Sequence, residues 1–306
     1  MKVIIPVAGF GTRLRPYTER RQKCLLPVAG KPVLDHIIEP LIDQGFDEII
    51  LVTGHLEDQI KKHVEKFDAE FKFARQEKQL GLGHAVFQGL EPENEPVLIQ
   101  LGDVIYDLNM GEFCNSPQHQ IAVDEVPDPE RFGVVEIEGD YITRVIEKPK
   151  FPTTNLGIIG LYYLTNQKAL YDAILHMIES DIKTNNEIQL ADAFEWMIGM
   201  GEVFKHTRVP RWYDCGIPET FLSTNRALLE PSGLQWEGST IREPVFIGAN
   251  CHLESSVIGP NVTIMPGSSI TNSTLEDTIV LWNAKIKNET LKHLIYPEGD
   301  VGEVEV

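Results

Sequence analysis

Cysteine is scarce in this chain of 306 residues, and Cys24, Cys114, Cys215 and Cys251 stand far apart. No CxxC or CxxxC spacing occurs, which argues against a structural zinc site or a disulfide framework and predicts a reduced, cytoplasmic setting. Long apolar runs are missing too. The opening run, Val3 to Val7, is too short for a signal-peptide core and contains Pro6. No uncharged apolar run of ~18 residues follows, so a soluble intracellular protein without a membrane span is expected. Positive charge is also in short supply: 27 Lys and Arg against 46 Asp and Glu leave a formal net charge of -19. A nucleic-acid binder normally needs a basic patch or stripe that neutralises many phosphates, so that class is not expected. Small anionic ligands remain open, because a local cluster of cations can bind them whatever the net charge. Clustered carboxylates could also carry a divalent metal.

Such a cluster is present. In "VIIPVAGFGTRLRPYTERRQKCLLPVAGKP", from Val3 to Pro32, an apolar run breaks at Gly9 and Gly11, and Arg13, Arg15, Arg20, Arg21 and Lys23 follow closely. Glycines let the backbone turn so that N–H groups point at an anion, and an arginine can grip phosphate oxygens bidentately. Lys23 adds a point charge. The motif is neither a dinucleotide fingerprint, since Leu14 stands where a third Gly is needed, nor a Walker loop, which needs Gly-Lys-Ser/Thr.

Further along, β-branched runs alternate with helical patterns. Strands are predicted over 2–7, 48–53, 70–75 and 97–101, and helices over 32–44, 56–67 and 83–90. This rhythm predicts an α/β fold: a Rossmann-like, mostly parallel mixed sheet flanked by helices. Ligands of such sheets sit beyond the carboxyl ends of the strands. From Ala122 the pattern changes to alternating strands, over 133–138, 141–147 and 157–164. Helices over 167–178 and 188–198, a strand over 203–209 and a closing helix over 218–229 complete a first domain, 1–229.

Beyond Glu230 apolar residues recur at Ile241, Ile247, Leu253, Ile258, Ile264, Ile270, Leu275, Val280 and Ile286, at intervals of five or six. Neither a helix nor a hairpin has that period. It is the hexapeptide signature of a short C-terminal left-handed β-helix of about three coils, over 230–306.

Other residues invite chemistry with alternatives open. Gln76, in "ARQEKQLGLGHAVFQGL", is a polar residue at a strand end. Asp103, directly after the buried strand over 97–101, is either a cap for the next segment or a metal ligand. Adjacent strand residues point to opposite faces, so Glu147 and Lys148 can share a site only if the chain bends there, and Pro149 makes a break plausible.

The order "AGFGTRLxPxT", then Lys23 in "QKCLLP", then "GKPVLDHII" resembles the sugar-1-phosphate nucleotidylyltransferases over residues 1–229. The tail resembles that of long-form glucose-1-phosphate thymidylyltransferases, while the short opening loop and "DVI" resemble the UTP-using uridylyltransferases. The resemblance implies a nucleotide-diphospho-sugar transferase type of fold and a reaction between dTTP or UTP and a sugar-1-phosphate. It implies that Ala8, Gly9, Gly11, Thr12, Gln76 and Gly81 bind the nucleotide, with Gln76 reading the pyrimidine. Gly133, Glu147 and Glu187 would hold the sugar, and Lys148 the sugar phosphate. Arg13, Lys23, Asp103 and Lys148 would be catalytic, and Asp103 with Asp214 of "RWYDCGIPET" would hold Mg2+. A homo-oligomer is expected, with no nucleic-acid or membrane partner. Three alternatives stand beside this reading: a regulatory homologue that binds nucleotide-sugar without catalysis, a mannose-1-phosphate guanylyltransferase-like enzyme, and an acyltransferase seated on the tail near His252 and His293. The last would need a longer array of coils.

Overall fold

The computed structural model describes residues 1–299; positions 300–306 of the expected tail lie outside the described residues. Contacts divide the chain into two units. One is Met1–Phe10 with Ile37–Trp212, and the other is Gly11–His36 with the chain from Tyr213 onward. This division is not the sequence boundary at 229/230, because the cation-rich opening loop is grouped with the C-terminal part of the chain.

The first unit is built on a nine-stranded sheet. Its strands, in chain order, are β1 (Lys2–Pro6), β2 (Glu48–Thr53), β3 (Glu70–Arg75), β4 (Val97–Gln100), β5 (His119–Glu125), β6 (Gly133–Glu138), β7 (Tyr141–Glu147), β8 (Leu156–Leu164) and β9 (Phe204–Arg208). Their order across the sheet is β3-β2-β1-β4-β8-β5-β9-β7-β6. The first four strands pair in parallel, and β9 is parallel to β5. β8 runs antiparallel to both β4 and β5, and β7 runs antiparallel to β9 and β6. The sheet is therefore mixed, and its second half departs from the mostly parallel arrangement expected. The β6-β7 pair is a hairpin across Gly139 and Asp140, and such a short connection can join only antiparallel strands.

Burial explains the strand patterns. β8 is buried at every position and β4 likewise, as central strands covered on both faces should be. Helix α1 (Val33–Asp43) straddles the point in the chain, between His36 and Ile37, where the units divide, and helices α2 (Glu57–Val64), α3 (Leu82–Gly89), α4 (Gln167–Glu179) and α5 (Leu190–Gly199) belong to the first unit. Ile4, Val52, Val86, Leu164, Ile174 and Phe194 belong to one buried cluster that joins sheet and helices. Because β1 to β4 are parallel, the turns after Pro6, Thr53, Arg75 and Gln100 emerge at one edge.

In the second unit, the C-terminal strands stack in parallel layers. Thr240 lies beside Val257, Val257 beside Thr274 and Thr274 beside Thr290. A second wall pairs Val245 with Val262 and Thr263 with Ile279, and a third pairs His252, Ser269 and Lys285 in turn. Leu253, Ile258, Ile264, Ile270, Leu275, Val280 and Ile286 form one buried cluster, with Ile241 and Ile247 packed against it. These are the residues of the five-to-six-residue repeat, and their inward direction follows from one aliphatic side chain per short strand.

Helix α6 (Pro218–Leu228) joins this stack through a buried charge. Asp277, 4 % exposed, accepts hydrogen bonds from Arg226 Nε at 3.1 Å and Nη2 at 2.5 Å, and it lies 2.6 Å from His293 Nδ1. Burial works to raise the Asp277 pKa, but the hydrogen bonds and charges of Arg226 and His293 prevail and hold it below the usual carboxylate value. A carboxyl group depressed in the folded state stabilises fully above its unfolded pKa of about 3.9, and this contribution is lost as pH falls through the folded value. Below about pH 4, the melting temperature should drop, and Asp277→Asn should lower it at neutral pH while flattening that acid dependence. Calorimetry across pH checks this; an equally steep acid loss in the variant would remove Asp277 as its source.

Candidate active site

The first strand delivers its chain end to the parallel edge. Ala8 is buried there, and its carbonyl accepts from Gln79 Nε2 at 3.1 Å, while Gly9 is exposed. Across the same edge, Phe10, Gly54, His55, Arg75, Gln76, Glu77 and Gln79 line a cleft. Gln76, the first residue after β3, is 3 % exposed, and its backbone N–H donates to Thr53 O. Its side-chain Nε2 donates to Gly81 O at 3.1 Å.

Gly81 stands at the start of α3 with φ of 109°, a conformation that L side chains rarely adopt. A Cβ there would come within 2.6 Å of Ile188 O and 2.8 Å of Glu187 Cβ. The neighbouring segment is tied in by Ile188 N–H to Leu80 O and Gly83 N–H to Ile188 O. Gln76, Gly81 and Glu187 are thus brought together, and Gln189 donates to the Glu187 carboxylate at 3.0 Å. Gly81→Ala should cost about 1–3 kcal/mol of stability through backbone strain and crowding. An unchanged melting temperature would show that the turn yields.

A second cluster lies on β6, β7 and β8. Gly133 is paired with Glu147, and a Cβ on Gly133 would lie 3.2 Å from Glu147 Oε2, so the missing side chain leaves room for the carboxylate. The strand ends at Glu147 because Lys148 turns into the left-handed region, with φ of 42°. That turn overrides the alternation of a strand. Lys148 Nζ meets Glu147 Oε1 at 2.9 Å, so ammonium and carboxylate share one side. Asp103, which follows β4, acts on the same surroundings. The phenol of Tyr162 is raised well above its usual pKa, first by burial and then by the negative charges of Glu147 and Asp103.

In the second unit, the loop from Gly11 holds the remaining cations. Gly11 precedes a 3-10 turn over Thr12–Leu14, and Thr18 Oγ1 donates to Gly11 O at 2.8 Å. Leu14 is fully buried and anchors the turn, while Thr12 and Arg13 are exposed. Arg13 makes no ion pair among the described residues. Lys23 opens another 3-10 turn, Lys23–Leu25, capped by Gln22. The loop is tied within its own unit to distant parts of the chain. Tyr17 OH donates to Ile295 O at 2.8 Å, Arg21 pairs with Glu298 at 2.9 Å, and its guanidinium lies 3.9 Å over the Trp282 ring. Ala29 N–H donates to the buried Asn225 side chain at 2.8 Å. Asp214 also belongs to this unit, half-buried, with its backbone carbonyl held by Thr224 Oγ1 at 2.9 Å.

Among the described residues no group of three or more His, Cys, Asp or Glu could hold an ion, so a cage made of protein alone is not built here. A carboxylate, such as that of Asp103 in the first unit or that of Asp214 in the second, is the kind of ligand that Mg2+ takes one or two at a time, completing its shell with water and phosphate oxygens.

The family profile for nucleotidyl transferases matches residues 2–231. The chain belongs to the nucleotidyl transferase family. It is 35 % identical over 265 residues to the bifunctional protein GlmU of Methanococcus maripaludis, an alignment covering 85 % of this chain and 62 % of that one. The chain thus spans less than two thirds of that relative. A glucose-1-phosphate thymidylyltransferase of Streptomyces griseus is 29 % identical over 320 residues, covering 94 % of this chain and 88 % of its own. Among solved structures, a UDP-glucose pyrophosphorylase in complex with UDP-glucose superposes with a TM-score of 0.63, with 25 % identity over 74 % of this chain and 97 % of that one.

Within the family frame, the first unit gathers Gln76, Gly81 and Glu187 in one place and Gly133, Glu147 and Lys148 in another. Arg13, Lys23 and Asp214 belong to the second unit. The sequence gives no sign of Tyr17 and Asn225, and marks Arg21 only as one of the clustered cations, yet all three hold the cation loop. Nothing local marks that role, because their partners lie hundreds of positions away. Among the described residues, no helix is long and apolar enough to cross a membrane.

Proposed function

We propose that this protein transfers a nucleotidyl group from dTTP or UTP to a sugar-1-phosphate, glucose-1-phosphate first among them, with Mg2+ as cofactor. The observation that carries the reading is the left-handed turn at Lys148, which sets its ammonium beside the Glu147 carboxylate. A group that binds sugar hydroxyls and one that binds phosphate are then adjacent, as a sugar-1-phosphate requires. In the reaction a phosphate oxygen of the sugar-1-phosphate attacks the α-phosphorus in line, that P–O bond forms, and the bond to the leaving pyrophosphate breaks. The attacking oxygen is already anionic near neutral pH, so catalysis rests on positioning and charge stabilisation.

In this reading Lys148 holds the sugar phosphate, Glu147 and the backbone at Gly133 hold sugar hydroxyls, and Glu187 lines the sugar side. Ala8, Gly9, Gly11, Thr12, Gln76 and Gly81 receive the nucleotide. Arg13 and Lys23 neutralise the triphosphate and the departing pyrophosphate. Asp103 and Asp214 would hold Mg2+, which supplies charge neutralisation at the reacting phosphates. The stacked C-terminal strands are read as a left-handed β-helix that also supports a homo-oligomer, and the protein as cytoplasmic.

The test is pyrophosphate release with Mg2+ and glucose-1-phosphate, supplying dTTP, UTP, CTP, ATP and GTP separately, then mannose-1-phosphate and other sugar-1-phosphates. Release with dTTP or UTP supports the reading and ranks the nucleotides. Release only with GTP and mannose-1-phosphate would replace it with a guanylyltransferase. Silence throughout, with nucleotide-sugar still bound, would favour the non-catalytic homologue.

A further inference from the structure

The direction in which Gln76 presents its amide is set from behind. Gly81 offers it only a carbonyl oxygen, so the amide atom 3.1 Å away has to be the nitrogen. The same nitrogen lies 3.1 Å from His84 Nδ1, one turn into α3. A donating amide nitrogen requires Nδ1 to be a bare acceptor, with the ring proton on Nε2. Burial lowers the His84 pKa below the ordinary value, which keeps the ring neutral and that acceptor available. On the far side Gln88 Nε2 lies 3.3 Å from His84 O and 3.4 Å from His84 Nε2; with the ring proton on Nε2 only the carbonyl oxygen can accept from it. With Nε2 committed inward twice, Oε1 is the Gln76 atom left for the cleft that the residue lines. No described residue is hydrogen-bonded to it.

We propose that His84 is a positioning residue that locks the Gln76 amide so that the cleft offers an acceptor, and thereby selects nucleotides whose base presents a ring N–H. The proposal rests on the nucleotidyl-transfer reading and deepens it. Uracil and thymine carry a proton on N3, which Oε1 can accept. Cytosine presents a bare N3 and adenine a bare N1, so each would set acceptor against acceptor. Gln76 alone would not discriminate, because a free amide can turn over and offer its N–H₂ instead. The second acceptor at His84 adds to the cost of that flip, since a reversed amide would leave Gly81 O and His84 Nδ1 both facing Oε1. A buried polar group left unpaired in this way corresponds to about a 10- to 100-fold loss of affinity.

The experiment compares pyrophosphate release from UTP, dTTP and CTP by the full chain and by two variants. His84→Leu removes the acceptor, whereas His84→Asn can return one through its side-chain oxygen. His84→Leu should raise KM for UTP or dTTP by about 10-fold or more, with the loss in KM rather than kcat, and should lower the UTP-to-CTP ratio of kcat/KM by a similar factor. His84→Asn should restore much of that ratio. An unchanged KM and ratio in His84→Leu, or a loss confined to kcat, would overturn the proposal. Nitrogen-15 NMR of the histidines in the unaltered protein gives a readout independent of turnover and of how a variant folds. His84 should be the Nε2–H tautomer with Nδ1 accepting, and an Nδ1–H tautomer or an imidazolium at neutral pH would overturn the lock. If the unaltered protein releases no pyrophosphate with any nucleotide, the transfer reading fails by itself, and the tautomer with UTP and CTP binding by calorimetry still judges His84.

Discussion

Arg13→Ala is expected to lower kcat by about 100- to 1000-fold, the scale seen when one preorganised charge donor to a transition state is removed. The size follows from what the side chain does not do. Arg13 is exposed and makes no ion pair among the described residues, and the turn that carries it is anchored instead by fully buried Leu14. Its removal therefore costs little packing, and the melting temperature should hold. Arg13→Lys should recover part of the loss, since a point charge remains but the bidentate fork does not. Steady-state kinetics beside a thermal melt decide the matter. A well-folded Arg13→Ala enzyme with near-normal turnover would remove Arg13 from the catalytic group.

The second large effect is expected at Asp214. Asp214→Asn keeps the shape of the side chain and leaves the backbone carbonyl free to hold Thr224 Oγ1 as before, so the variant should fold. It removes the negative charge that a hard cation needs, and Mg2+-dependent turnover should fall by roughly 100-fold or more, several kcal/mol being the usual share of a metal's charge in such reactions. A Mg2+ titration is the informative measurement, because loss of metal affinity moves the half-saturating concentration whereas a merely structural defect lowers the plateau alone. Asp103→Asn should behave alike. Retention of the normal Mg2+ response by either variant would sink its assignment as a metal ligand.

Much of this was legible because the signals are short-range. Period-two and period-3.6 patterns announced β1 to β4 and the helices to within a few residues. The five-to-six-residue repeat identified in advance the aliphatic residues of the C-terminal core, seven of them buried. The glycines and arginines of the opening loop are the local signal on which the proposal of phosphate binding rests. What was missed is long-range or conformational. The expectation of a mostly parallel sheet followed from the βα rhythm of the first hundred residues, but β8 returns antiparallel between β4 and β5, and no local pattern states which neighbours a buried strand will choose.

By itself, then, the sequence determined the element types, the inward-facing residues and the chemical kinds at the candidate site, because propensity and periodicity are properties of neighbouring residues. Tertiary structure alone decided how those residues are presented. Lys148 joins Glu147 on one side only because its backbone is left-handed, against the alternation that a strand would impose. The cation loop is held by Ile295, Trp282 and Glu298, partners that chain separation hides from any local reading. Gln76 faces the cleft with an acceptor because Gly81 and His84 engage its nitrogen. An amide has two ends of nearly equal shape, so only its surroundings can choose between them.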